Sequence, residues 1–118
     1  GSNDYWPKVY QIIRAANDGI IAGKALLETG SGDEAAINEV IARARFFRAF
    51  AYFHLVRQFG DIPYLDDETV LSEAAVAPRT PVAEVYANII ADFEFAKLNL
   101  NTTNASRAIP AKSAASVA

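Results

Sequence analysis

The chain is predicted to be all-α, an array of antiparallel helical hairpins, and three observations predict it. The run from Ala44 to Pro63 is apolar nearly all round, and seven aromatic residues crowd between Phe46 and Tyr64. A helix apolar on more than one face must be covered by neighbours on more than one side, so this stretch is the central helix of a larger assembly. Apolar residues also recur at close to a 3.6-residue period before it and again after a long loop. Finally, Gly30-Ser31-Gly32 separates two helical stretches of nearly equal length.

The first helix is expected from about Asp4 to Thr29, with Trp6, Val9, Tyr10, Ile13, Ile20, Ile21 and Leu27 on the inner stripe and Lys8, Gln11, Arg14, Asp18 and Glu28 opposite. Pro7 suits a first turn, where an amide has no partner inside the helix, and the Gly-Ser-Gly break ends the run. The second helix, from Asp33 or Glu34 to Phe59, would be roughly 38 Å long at 1.5 Å per residue, enough to lie antiparallel along the first. Gly60 supplies the stop, and Ile62, preceding Pro63, is pushed toward an extended conformation. From Asp61 to Arg79 no period is visible apart from a short turn around Val70 to Ala75, and so long a connection is expected to pack on another part of the molecule. The third helix starts at Thr80-Pro81, a hydroxyl cap followed by proline, and runs through Val82, Val85, Tyr86, Ile89, Phe93 and Ala96 to about Leu98. Asn99 to Arg107 is polar and turn-like, and Pro110 opens a short small-residue helix, Ala111 to Ala118. That alanine-rich stub buries too little to hold itself in place, so the chain reads as a truncated fragment, with Gly1-Ser2 the remnant of a cleaved tag and residues 3–118 two units of a helical-hairpin array. No strict sequence repeat is visible.

Composition narrows the function. At 118 residues the chain is one domain at most, burying roughly two thirds of the surface its unfolded form exposes. Its formal charge of −3 leaves no basic excess to hold a phosphate backbone, so nucleic acid is not an expected partner. No apolar run approaches the ~20 residues of a membrane span. The absence of cysteine excludes disulfides, thiolate metal sites and a thiol nucleophile within these residues. His54 is the single histidine, so no histidine metal cluster forms, and no nucleophile, base and orienting group stand in a recognisable arrangement. Neither an enzyme nor a cofactor is expected.

Several separated segments carry a family resemblance. Arg45-Phe46-Phe47-Arg48-Ala49-Phe50 followed by Gly60-Asp61-Ile62-Pro63, then Arg79-Thr80-Pro81-Val82 with Val85-Tyr86 and Ile89-Ile90-Ala91-Asp92, then Arg107-Ala108 with Lys112 and Ala114-Ala115, all in this order, resemble the SusD/RagB family of outer-membrane nutrient-binding lipoproteins. Trp6, Tyr10, Ile13 and Ala16-Asn17 are similar to that family's opening helix. The resemblance implies a tetratricopeptide-like (TPR-like) α-α superhelix for this region. It further implies a full-length protein lipid-anchored at the cell surface in the outer membrane, capturing oligosaccharides or related nutrients for a SusC-like TonB-dependent transporter. Two departures stand out: Arg43 occupies a position where the family usually has glutamate, and the lipid-bearing cysteine is not among these residues. The alternative reading is a stand-alone helical-repeat adaptor gripping a protein or peptide in a concave groove.

Tyr64, Trp6 and Tyr5 are the ligand-binding candidates, because an aromatic face suits the apolar C–H side of a pyranose ring. Trp6 shares a stripe with Val9, Tyr10 and Ile13 and reads first as core; Tyr64, in the loop, is the better candidate. Arg45, Arg48 and Arg57 are expected to pair with Asp92, Glu84 or loop carboxylates, Asn17 to hydrogen-bond a neighbouring helix, His54 to be partly buried, and Asp66-Asp67-Glu68 to be solvated, without the spacing of a calcium loop. Phe46, Phe50 and Phe53 are expected to supply part of an exposed apolar patch through which the chain alone self-associates.

Overall fold

A computed structural model describes residues 2–69 and 77–100, the side chains of residues 2–5 excepted. It contains three helices, α1 (Ser2–Thr29), α2 (Glu34–Phe59) and α3 (Val82–Leu100), with α2 packed against α1 on one flank and α3 on the other. The all-α hairpin architecture and the central place of α2 are therefore as the sequence predicts. The turn around Val70 to Ala75 and the helix from Pro110 to Ala118 lie outside the described residues.

Each helix end has a local cause. Asp33 caps α2, its carboxylate accepting the Ala35 and Ala36 amides at 3.0 and 3.3 Å, a contribution of about 1 kcal/mol. Gly60 ends the helix at φ 74°, a conformation that glycine adopts without the steric penalty of a side chain, and its N–H closes on Val56 O at 3.0 Å. Two ends differ from expectation. Because α1 begins at Ser2, Pro7 lies inside it rather than in its first turn, and α3 runs on to Leu100, with the Asn99 side chain donating to Phe95 O at 2.9 Å. The expected Thr80 hydroxyl cap is replaced: the first amide of α3, Val82 N–H, donates to the Asp61 carboxylate at 3.0 Å. The Thr80 backbone is engaged with Ile62 instead, in a one-residue antiparallel bridge of two hydrogen bonds, 2.7 and 3.3 Å.

The loop enters the core as a structural layer. Ile62 is fully buried and Leu65 nearly so, packed with Tyr10 and Ile13 of α1, Tyr52 and Leu55 of α2, and Val85 and Ile89 of α3. Asp61 does double duty at this junction, since its carbonyl also accepts from Arg79 at 3.0 Å while its carboxylate caps α3. One four-residue exit after α2 thus fixes the start of the next helix.

Two glycines set how closely α1 approaches α2. A Cβ built on Gly23 would lie 2.5 Å from Cγ1 of the buried Ile41, whereas one on Gly19 would meet Ala44 Cβ at 3.6 Å, ordinary contact. Ile41 is β-branched and stiff, so it cannot turn away cheaply. Gly23→Ala is expected to destabilise the chain by about 1–3 kcal/mol through overpacking, while Gly19→Ala is neutral or stabilising by up to about 1 kcal/mol through helix propensity; urea denaturation of the two variants side by side checks the contrast.

Candidate functional site: the clamped loop after the second helix

Arg45, Arg48 and Tyr52 share one side of α2, and they organise the polar interior of the molecule. Arg48 and Asp92 are both almost fully buried, and they meet in a bidentate pair, Nε to Oδ2 at 2.9 Å and Nη2 to Oδ1 at 2.7 Å. Arg45 reaches the same carboxylate from the rim, Nε to Oδ1 at 2.8 Å, with its guanidinium 4.3 Å from the centroid of Phe95. The remaining side of Arg48 donates from Nη1 to Asn17 Oδ1 at 2.9 Å and to Asp67 Oδ1 at 2.8 Å. Lys24 closes the far end by donating to Asp67 Oδ2. Residues of α1, α2, α3 and the loop are thereby joined in one ionic network.

Burial alone would work against the charge on Arg48, yet its hydrogen bonds and the charge of Asp92 outweigh that and raise its pKa further. Asp67 follows the same logic with opposite sign: burial pushes its carboxyl up, but the hydrogen bonds from Lys24 and Arg48 win and hold it at about 2. Both groups stay charged across the physiological range.

Tyrosines fasten the loop backbone above this network. The Tyr52 hydroxyl accepts from Leu65 N–H at 2.6 Å and donates to Leu65 O at 2.8 Å, so one side chain satisfies both polar groups of one buried residue. Asn17 Nδ2 donates to the same carbonyl at 3.1 Å, and the Tyr10 hydroxyl donates to Pro63 O. Desolvation by burial raises the phenol pKa of Tyr10, Tyr52 and Tyr64 alike, keeping all three neutral.

The structure brings two of the candidate ligand residues to opposite ends of one aromatic ladder. Trp6 lies 5.4 Å from Tyr10, Tyr10 lies 6.1 Å from Tyr52, and Tyr52 stacks on Tyr64 at 4.4 Å between ring centroids. Trp6 is half-buried, with Phe59 edge-on at 5.1 Å and the Arg79 guanidinium 5.5 Å away over the ring. Tyr64 is half-buried as well, with Tyr52 against its ring. Tyr5 belongs to α1, and its side chain is outside the described residues.

Other expectations fare unevenly. Asn17 does hydrogen-bond a neighbouring helix, and Arg45 and Arg48 do meet Asp92, whereas Arg57 rests over the Phe53 ring at 5.2 Å and pairs with no carboxylate among the described residues. Arg43 answers the change of residue type at its position by pairing with Glu39 one turn earlier at 3.1 Å. His54 is exposed, not partly buried, with the edge of Phe50 at 4.7 Å. The acidic triplet is not simply solvated, since Asp67 is drawn into the ionic network and Asp66 shapes a turn by accepting from Glu68 N–H at 2.9 Å. Among the described residues no three His, Cys, Asp or Glu side chains gather to hold a metal ion. The Tyr52 clasp is missing from the sequence reading, although a tyrosine one turn beyond a buried arginine on an apolar helix was its available signal.

Known proteins share the fold of this chain. Residues 2–118 match the model of a SusD-like family described as starch-binding and associating with the outer membrane. The chain is 46% identical over 112 residues to SusD-like protein P2 of Formosa agariphila, covering 94% of this chain and 21% of that protein. It is 34% identical to a SusD-like protein of Bacteroides ovatus, covering 81% and 17% respectively. Among solved structures, one determined with a xylogluco-oligosaccharide superposes with a TM-score of 0.68 at 32% identity, over 80% of this chain and 18% of that one. A SusD superfamily protein of Parabacteroides distasonis gives 0.63 at 33% identity, over 83% and 20%. The chain thus spans about a fifth of the length of the relatives it matches.

Removing Arg48 leaves the buried Asp92 with Arg45 alone at its rim, so Arg48→Met is expected to lower stability by about 3 kcal/mol in chemical denaturation, with Arg48→Met/Asp92→Leu recovering part of the loss. Asp67 contributes to the acid limb of stability. Its folded pKa lies below the ordinary value near 4, so its contribution is fully present above about pH 4 and disappears as pH falls toward about 2. Thermal melts between pH 5 and pH 2 should show that loss in the parent chain and a flatter profile in Asp67→Asn.

Proposed function

The chain belongs to the SusD/RagB family, and on that premise we propose that the full-length protein is a non-enzymatic, lipid-anchored surface component of an outer-membrane uptake system. It captures an oligosaccharide or related nutrient and delivers it to a SusC-like TonB-dependent transporter. The observation that carries this reading is the match of a starch-binding, outer-membrane-associated family along residues 2–118, supported by likeness to a structure determined with a xylogluco-oligosaccharide.

Within that protein the residues described here act as the rigid helical part. A ring that binds sugar needs a free face, and both Trp6 and Tyr64 spend ring surface on other side chains of this chain. Of the two, Tyr64 is the candidate that a ligand would meet, because the clamp on Pro63 and Leu65 holds the backbone on either side of it and its position is set before any ligand arrives. The bulk of the binding surface falls to the rest of the polypeptide.

Affinity electrophoresis of the full-length protein against a panel of polysaccharides, xyloglucan included, tests the reading. At least one gel-embedded glycan is expected to retard migration, and Tyr64→Ala is expected to weaken that retardation. Migration unchanged by every member of a broad panel would retire the glycan-binding account.

A further inference from the structure

Tyr64 rests on a residue that no ligand can reach. Tyr52 is fully buried, with the ring of Tyr10 edge-on to it at 6.1 Å. Its own ring lies against that of Tyr64, 4.4 Å between centroids and 29° from parallel. A ring stacked at that distance covers one face of its neighbour, so Tyr64 has only its other face to offer a pyranose.

Tyr52 restrains Tyr64 a second time, through the backbone. Its hydroxyl accepts the Leu65 N–H at 2.6 Å and donates to the Leu65 carbonyl at 2.8 Å. The first of these bonds holds the peptide that joins Tyr64 to Leu65, while the Tyr10 hydroxyl holds the peptide on the other side of Tyr64 through Pro63 O. The two polar groups of Leu65 differ in how they are covered. Its carbonyl has a second donor in Asn17 Nδ2 at 3.1 Å, whereas its N–H has Tyr52 alone among the described residues. Stack and clasp therefore meet in one side chain, the stack setting which face of Tyr64 is covered and the clasp setting the course of the backbone that carries it. We infer that Tyr52 is the positioning residue of the glycan site: in the unliganded protein it sets the single face and the direction that Tyr64 presents to the apolar side of one pyranose ring. The inference rests on Tyr64 meeting the ligand, as proposed above. A side chain already held in its binding position spares the ordering cost of association, which for one side chain corresponds to about two- to ten-fold in affinity.

Tyr52→Phe keeps the stacked ring and removes both hydrogen bonds of the clasp. Calorimetric titration of the full-length protein, with the panel glycan that most retards its migration, is expected to show Tyr52→Phe binding about two- to ten-fold more weakly than the parent at a temperature where both are fully folded. In a Tyr64→Ala background the same substitution is expected to change affinity no further, because the ring that it positions is gone. No loss in the first background, or equal losses in both, describes a merely structural tyrosine and overturns the inference alone, leaving Tyr64 as a ligand contact. A Tyr64→Ala variant that binds like the parent removes Tyr64 from the site and this inference with it, with glycan capture left standing; a parent that binds no glycan ends both. If Tyr52→Phe does not fold, hydrogen exchange of a parent peptide spanning the Leu65 amide decides. Equal protection with and without the glycan is expected, and protection that arises only with the glycan overturns the inference.

Discussion

The rest of the structure depends on the burial of one guanidinium. Arg48 can be taken out of water only if nearly every N–H finds an oxygen, and four of its five donate to Asp92, Asn17 and Asp67. Those oxygens come from α3, α1 and the loop. Satisfying a single side chain therefore fixes the mutual positions of every element in contact with α2. Apolar packing supplies most of the attraction between these layers, but it tolerates sliding, whereas a bidentate charge pair does not.

This requirement also accounts for the ordered course of a loop without regular structure. Among the described residues, 63–65 make no backbone–backbone hydrogen bonds, so side chains of the helices take that place: Tyr10 for Pro63, Tyr52 and Asn17 for Leu65, with Arg48 and Lys24 holding the Asp67 carboxylate. The burial of Ile62 and Leu65 completes the arrangement, since apolar side chains then point into the space that these polar groups frame. Tyr64, between the two fastened carbonyls, inherits a position that it does not itself determine.

The helices were legible because their signals are local. Asp33, Gly60 and the apolar period of α2 each act within a few residues, and the limits of α2 were found from them. The pairing of Arg45 and Arg48 with Asp92 was legible as a set of alternatives, because long basic side chains on an apolar helix have to find anions somewhere. What sequence reasoning could not reach is information carried across long separations. Asp61, not Thr80, caps α3 because the Ile62–Thr80 bridge brings the two strands of chain together, and nothing near Thr80 announces that. Asp67 resembled its solvated neighbours until Lys24 and Arg48, distant in sequence, were placed beside it. The exposure of His54 likewise follows from which side of α2 the other helices occupy, a choice that periodicity alone leaves open in a helix apolar nearly all round.

The Ile62–Thr80 bridge has a consequence for how the chain can vary in length. With Asp61 bonded to both Arg79 and Val82, the two ends of the connection are held together at a neck, and residues 62–69 are secured separately by the helices. The entropy of closing a connection grows only slowly with its length, by about 0.6 kcal/mol for each doubling, and the contacts that oppose it are gathered at this neck. The start of α3 is therefore set at the exit of α2, independently of the length of the connection between them.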